Sequence, residues 1–478
     1  MRIDRSFASR ADTLEKLAPA LAWATIFGLV ACATEPDPSS SRSDRALPAD
    51  GGGIAHLDSA LVDGRLDATV QDVLRPDAGP RDMGSLDGAR VDVGSLDAGA
   101  LDADAPDARA PDASLPWRAG ILSGPPSRAQ LLPLPGGGSG PPVLTSNNPE
   151  IFEGPGLLYG NARPSPTRGG TPVRLEGEFG VYLHHLNRSG SVKYVGILVT
   201  NPNAANVTIE ARGSGYSQTE TGGLGLGSSP DFRVSREWIL DLPETIVQPT
   251  EIQPSRGLLV WQKRVNDGAE VDGRFGLRAS APVFVYVLAT DAGTLSEALT
   301  RSREDAPGDY RTSGSPPPPY GREAGVYAHD TWTSTITVSV PAGPKNVAFM
   351  VNTATGGGLP QIQAFPAIGH YDVSAAEAVG MYGNVYDFEL TLIHDGADST
   401  SRRVRVAFHS LATGTASRWW DGAGVLDGAE IVVRHVPGAV TTTLGDFSLG
   451  PRATRTLRFR AMVPGLAAIP QALSIETF

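Results

Sequence analysis

His184 and His185 stand side by side in a chain with only eight histidines, so a search for metal chemistry begins there. On an extended strand neighbouring side chains point to opposite faces, and the two rings cannot close on one ion. Zinc would need further donors, and no histidine or carboxylate stands at a ligand spacing nearby. The pair is therefore expected to be structural, with one ring packed and one at the surface, and no metal ligand is assigned. Asp267-Gly268, Asp395-Gly396, Asp421-Gly422 and Asp427-Gly428 could belong to calcium loops. None is followed by the alternating oxygens and distal glutamate of a dedicated cage. Asp-Gly between strands is first of all a hairpin turn, because such turns need positive φ.

Other catalytic signatures are missing. The chain has no GxSxG elbow and no HExxH helix. The glycine run GGLGLG (222–227) neither follows a clear strand nor opens a helix, as a phosphate loop must, and reads as a hairpin tip. Arg418-Trp419-Trp420-Asp421 is the best binding candidate, since a tryptophan at a strand end can stack on a sugar ring. The competing reading places one of these rings in a core and the other over a sandwich end. Trp332 poses the same question. No catalytic residue and no cofactor is implied.

The single cysteine, Cys32, has a clearer meaning. Arg2, Arg5, Arg10 and Lys16 precede an apolar run from Leu17 to Ala31, which contains a proline and is too short to span a bilayer comfortably. It reads as an export signal. Leu29-Val30-Ala31-Cys32 resembles the lipobox of bacterial lipoproteins, which implies cleavage after residue 31 and acylation of Cys32. Acyl chains contribute roughly 0.8 kcal/mol per buried CH₂, ample for stable membrane anchoring. Alanine rather than aspartate at position 33 implies the outer membrane, with the body on its periplasmic or cell-surface side. With no second cysteine, the mature fold rests on packing rather than disulfides.

Residues 32–115 form the expected tether. Ten aspartates, from Asp67 to Asp112, recur every five residues amid Ala, Gly, Pro and Leu. Such a stretch buries too little apolar area to offset its ordering entropy. Residues 33–115 carry a net charge of −10, which leaves −3 for residues 116–478. A flexible chain of this length has a root-mean-square span of about 50 Å. The nearly neutral body offers no basic footprint for nucleic acid.

The body must position any site with β-structure. Short β-branched and aromatic runs, punctuated by Gly, Pro and Asp-Gly, fall at 192–200, 206–212, 257–265 and 282–290. Further runs fall at 334–340, 346–351, 385–394, 402–410, 430–436 and 454–462. In 402–410, Arg403, Arg405 and His409 alternate with Val404, Val406 and Phe408, giving period two with one polar face. Only 374–382 looks helical. The fold class is all-β: a β-sandwich-like domain over 116–310, a proline-rich linker at 311–320, and a second sandwich-like domain over 321–478.

Several stretches resemble an uncharacterised family of secreted, mainly cyanobacterial proteins described only as a domain of unknown function. They include LLPLPGGGSGPPVLTSNNPEIFEGPGLLYG (131–160), LEGEFGVYLHHLNRSG (175–190) and GREAGVYAHDTWTSTITV (321–338). The resemblance departs at TETGGLGLGSSPDF (219–232) and implies export and a β-rich fold, but no activity. The expected function is a non-catalytic cell-envelope lipoprotein that displays sandwich domains for binding or structural roles. Its partners would be the membrane, through Cys32, and a glycan or envelope protein. The alternatives are a secreted glycan-active hydrolase and a calcium-stabilised adhesion module.

Overall fold

The computed structural model describes residues 115–162, 169–310, 322–352, 363–396, 399–412 and 419–478. The signal segment, Cys32, the tether to residue 114, the linker at 311–320 and Arg418 lie outside them.

Twenty-four strands, three short α-helices and a 3₁₀ turn at Arg128–Gln130 make up the regular structure of the described residues. It opens with β1 (Arg118–Ala119), β2 (Leu131–Leu132) and β3 (Gly137–Ser139), followed by β4 (Val143–Ser146), β5 (Ile151–Phe152) and β6 (Gly156–Gly160). Then come β7 (Leu175–Asn187), β8 (Lys193–Thr200), β9 (Val207–Ser217), α1 (Gln218–Thr221) and α2 (Pro230–Ile239). After these lie β10 (Thr245–Ile252), β11 (Gly257–Val265), β12 (Glu270–Thr290) and α3 (Leu295–Arg301). The remainder is β13 (Ala324–Tyr327), β14 (Thr331–Ser339), β15 (Lys345–Met350), β16 (Phe365–His370), β17 (Glu377–Ala378) and β18 (Val385–Ile393). It ends with β19 (Arg402–Ser410), β20 (Trp420–Leu426), β21 (Ala429–His435), β22 (Thr441–Leu449), β23 (Thr454–Met462) and β24 (Gln471–Thr477). The fold is all-β, and every strand-like run read from the sequence falls on a strand.

Two layered cores result. In the first, β12 serves both layers. Its first part, Glu270 to Ala279, pairs with β7 and β9, and after a register shift Phe284 to Thr290 pair with β8. Val181, Leu183, Val271 and Phe275 from one layer meet Ile197, Val199, Val285 and Val287 from the other, all buried. A strand that switches layers is one way for a sandwich to turn its corner. In the second core, the sheet β1-β15-β24-β19-β22 faces the sheet β21-β20-β23-β18-β14-β3. Phe349, Phe408, Ile475, Phe388, Trp420 and Phe459 pack between them.

The strands are not shared out by sequence order. β1 and β3 pair with β15 and β14, so chain from before residue 140 completes the second sandwich. Conversely, β13 pairs with β4 and β16, extending the first sandwich's sheet with later chain.

Period two explains the strands. In β19, Val404 and Val406 are buried, while Arg403 and Arg405 both bind Asp446 at the surface. His409 breaks the expected polar face, because it is buried between Thr441 Oγ1 (2.9 Å) and Ser474 Oγ (2.8 Å). The helical reading of 374–382 is corrected: that stretch contains β17, and Ala375 and Ala378 are buried by tertiary packing. Of the four Asp-Gly pairs, 267–268 and 427–428 are turns, whereas Asp421-Gly422 lies within β20.

At the head of β13, Glu323 is buried and its Oε2 has no hydrogen-bond partner. Burial pushes its carboxyl up to about 8, against the pull of the Met381 and Gly380 backbone groups. A carboxyl raised in the folded state loses stability as pH climbs from its unfolded value, near 4.5, to about 8. Glu323→Gln is expected to remove much of that loss, on the order of a few kcal/mol. Paired denaturation curves at pH 5 and pH 8.5 check this; equal pH dependence in both proteins would contradict it.

Candidate functional site

The outward face of β7 and β12 is polar and yet buried. The register sets His184 opposite Asp272 and Tyr182 opposite Arg274, with Glu270 two residues before Asp272 on the same face. The intervening residues, Leu183, Val271 and Phe275, enter the first core. Tyr182 belongs to the second core, and Gly383 lies against its ring, where a Cβ would come within 2.2 Å. This face is therefore the seam at which the two sandwiches meet.

α2 covers the seam. Ser229 caps it by accepting from the Phe232 N–H, Pro230 holds the first turn, and Asp231 occupies the positive end of the helix dipole. Val234 and Ile239 pack with Val385, Ala423 and Met462. The glycine run 222–227 is not a hairpin tip: it joins α1 to α2, and the Gly227 N–H donates to Asp421.

At one end of the seam, His184 Nδ1 lies 2.8 Å from Asp272 Oδ2 and 4.0 Å from Glu270 Oε1. Tyr182 donates to the same Asp272 oxygen at 3.3 Å. Gly465 closes the cluster, since a Cβ there would approach Asp272 Oδ2, His184 Nδ1 and the Tyr182 hydroxyl within 2.3–2.7 Å. Burial alone would push the His184 imidazole down, but its hydrogen bond to Asp272 and the charge of Glu270 carry it up to about 10. Burial drives Asp272 upward, opposed by His184. His185, on the opposite face, is neutral: burial pulls it down to about 3, between Ser146 Oγ (2.9 Å) and the Pro149 carbonyl (2.8 Å). Neither histidine reaches the surface, which corrects the expectation for the second ring. The carboxylates missing from the local sequence arrive from β12, more than eighty residues downstream.

Toward the other end, Arg274 is fully buried. It donates to Asp330 Oδ2 at 2.7 Å and to the Phe275 carbonyl at 3.0 Å, beneath the Trp238 ring at 4.3 Å. Gly180 leaves room for the guanidinium, because a Cβ would sit 2.2 Å from it. Beside this pair opens a cleft of about 440 Å³ with Gly180 and Gly276 among its lining residues, the half-buried Trp238 and exposed Arg212 beside them, and Glu178, Arg278 and Glu210 nearby. Arg278 stands in register between the two glutamates.

The tryptophans singled out in the sequence lie elsewhere. Trp420 is fully buried against Phe408, and Trp332 is also in the second core. Trp419 is half-buried, and its backbone N–H donates to the His435 carbonyl. The half-buried tryptophan of the cleft is Trp238, whose helix the sequence reading missed; Ser229-Pro230-Asp231 was the signal that could have found it.

The chain matches the model of a protein family of unknown function, DUF3370, over residues 129–222 and 292–416. The interval between these segments holds α2, Glu270 and Asp272. No curated protein matches the chain. Among solved structures, Lac15 from a marine microbial metagenome is 10% identical, with a TM-score of 0.12 over 70% of this chain and 62% of that one. Blue Copper Oxidase from Nitrosomonas europaea is 9% identical, with a TM-score of 0.09 over 67% and 75%. The chain thus spans 62% of the length of the first, and neither likeness bears on fold or chemistry.

Removing one partner of a buried ion pair strands the other charge. Asp330→Ala is expected to destabilise the protein by about 3 kcal/mol, measured by urea denaturation. Asp446→Ala, at an exposed pair, should shift the midpoint far less. Equal shifts would contradict the reading of the seam.

Proposed function

We propose that the chain is an exported, lipid-anchored protein that holds a non-catalytic β body away from the membrane and binds a hydroxyl-rich glycan in the Trp238 cleft. The observation that carries the anchor is Leu29-Val30-Ala31-Cys32 after a basic, short apolar segment. No helix among the described residues is long and apolar enough to cross a membrane.

The cleft supports binding rather than catalysis. It combines an indole with arginines and glutamates, the mixture that gives a polyol both an apolar face and hydrogen-bonding partners. A glycoside hydrolase needs a carboxyl whose surroundings raise its pKa, so that it keeps a proton to give to the leaving group. Glu178 and Glu210 stand exposed, with Arg278 between them. The buried carboxylate that lines the cleft, Asp330, is tied to Arg274 at 2.7 Å, and Glu270 and Asp272 are shielded from any polymer.

Two measurements test this. Metabolic labelling with a fatty-acid probe should mark the wild-type chain and not Cys32→Ser; label on the variant, or a mature chain beginning at Met1, would overturn the anchor. On a glycan array, the detergent-solubilised chain should bind, and Trp238→Ala should weaken binding by about tenfold. Hydrolysis of an arrayed glycan would overturn the non-catalytic reading.

A further inference from the structure

We propose that His184, Glu270 and Asp272 form a binding site for a divalent transition ion of the zinc class, built into the seam beneath α2. Among the described residues they are the one group of three such side chains whose ligand atoms all lie within 4.8 Å of one another. All three are almost wholly shielded from water. Their placement follows from register: His184 and Asp272 are directly opposed on paired strands, and Glu270 shares their face.

The donor spacing suits such an ion. Bond lengths of about 2.0–2.2 Å put neighbouring ligand atoms of a tetrahedral zinc about 3.4 Å apart. The His184 separations, 2.8 Å to Asp272 and 4.0 Å to Glu270, straddle that distance. Small side-chain rotations would bring both to it. An imidazole nitrogen with two carboxylates selects zinc, manganese or iron over calcium or magnesium, which favour cages made of oxygen.

A second observation points the same way. Asp272 is fully buried, and its Oδ1 has no hydrogen-bond partner. Such an atom costs stability unless something positive reaches it. The charge balance also favours an ion. With both carboxylates ionised, a divalent cation on a neutral ring brings the trio to zero.

Because Gly465 and α2 close the cluster, the ion would enter as the chain folds. The full chain, refolded with zinc and then desalted, should hold about one zinc per molecule by elemental analysis. It should also melt several degrees higher than the same chain refolded with EDTA. His184→Ala and Glu270→Gln, each verified by circular dichroism, should bind zinc at least about tenfold more weakly and lose that melting difference. Cobalt substitution should give visible d–d bands in the wild type and none in His184→Ala. The Asp-rich segment provides the internal control, because zinc held there would persist in both variants. Should a variant fail to fold, the wild-type stoichiometry and cobalt spectrum decide. Less than a tenth of a zinc per wild-type chain, or a folded His184→Ala that holds as much zinc as the wild type, would overturn the proposal.

Discussion

The structure depends on keeping charged side chains inside the seam between two sandwiches. Hydrophobic cores form readily on both sides of it, because each sheet has an apolar inner face. The outer face of β7 and β12 is different. It presents Tyr182, His184, Glu270, Asp272 and Arg274, and all of them are buried. A buried charge is tolerable only when paired and hydrogen-bonded. Arg274 meets Asp330, and His184 meets Asp272. The partners of Arg274 come from chain on both sides of residues 311–320, so the pairing fixes the two sandwiches in one relative register. Apolar contacts alone could slide; directed hydrogen bonds cannot do so without stranding a charge.

α2 links this constraint to the proposed binding surface. Its first turn lies over the His184 cluster, and Trp238, near its end, covers Arg274 at the edge of the cleft. The shape of the cleft is thus tied to the polar interior, and disturbance at either end of the helix should reach the other. The glycines at 180 and 465 serve the same purpose, since they allow a guanidinium, and an imidazole with its carboxylate, to approach the backbone closely.

Much of the fold was legible because strands write themselves into sequence with period two. The 402–410 and 454–462 runs became β19 and β23, with arginines outside and Leu457, Phe459, Val404 and Val406 inside. The site was not legible. His184 has its carboxylate partners on a strand that begins at residue 270, and strand register across such a distance depends on packing rather than on local pattern. The Trp419-Trp420 pair misled because adjacency says nothing about depth, and Trp420 proved to be core. α2 was overlooked because it is a short amphipathic stretch that directly follows a glycine run, in a chain otherwise read as strands. The sharing of strands across 311–320 was equally hidden, since β1 to β3 are too short to announce a partner.

If the charged seam joins the sandwiches as described, they cannot unfold separately. Differential scanning calorimetry of the full chain tests this most directly. The account predicts one transition whose calorimetric and van't Hoff enthalpies agree. Two resolved transitions, one for each sandwich, would contradict it.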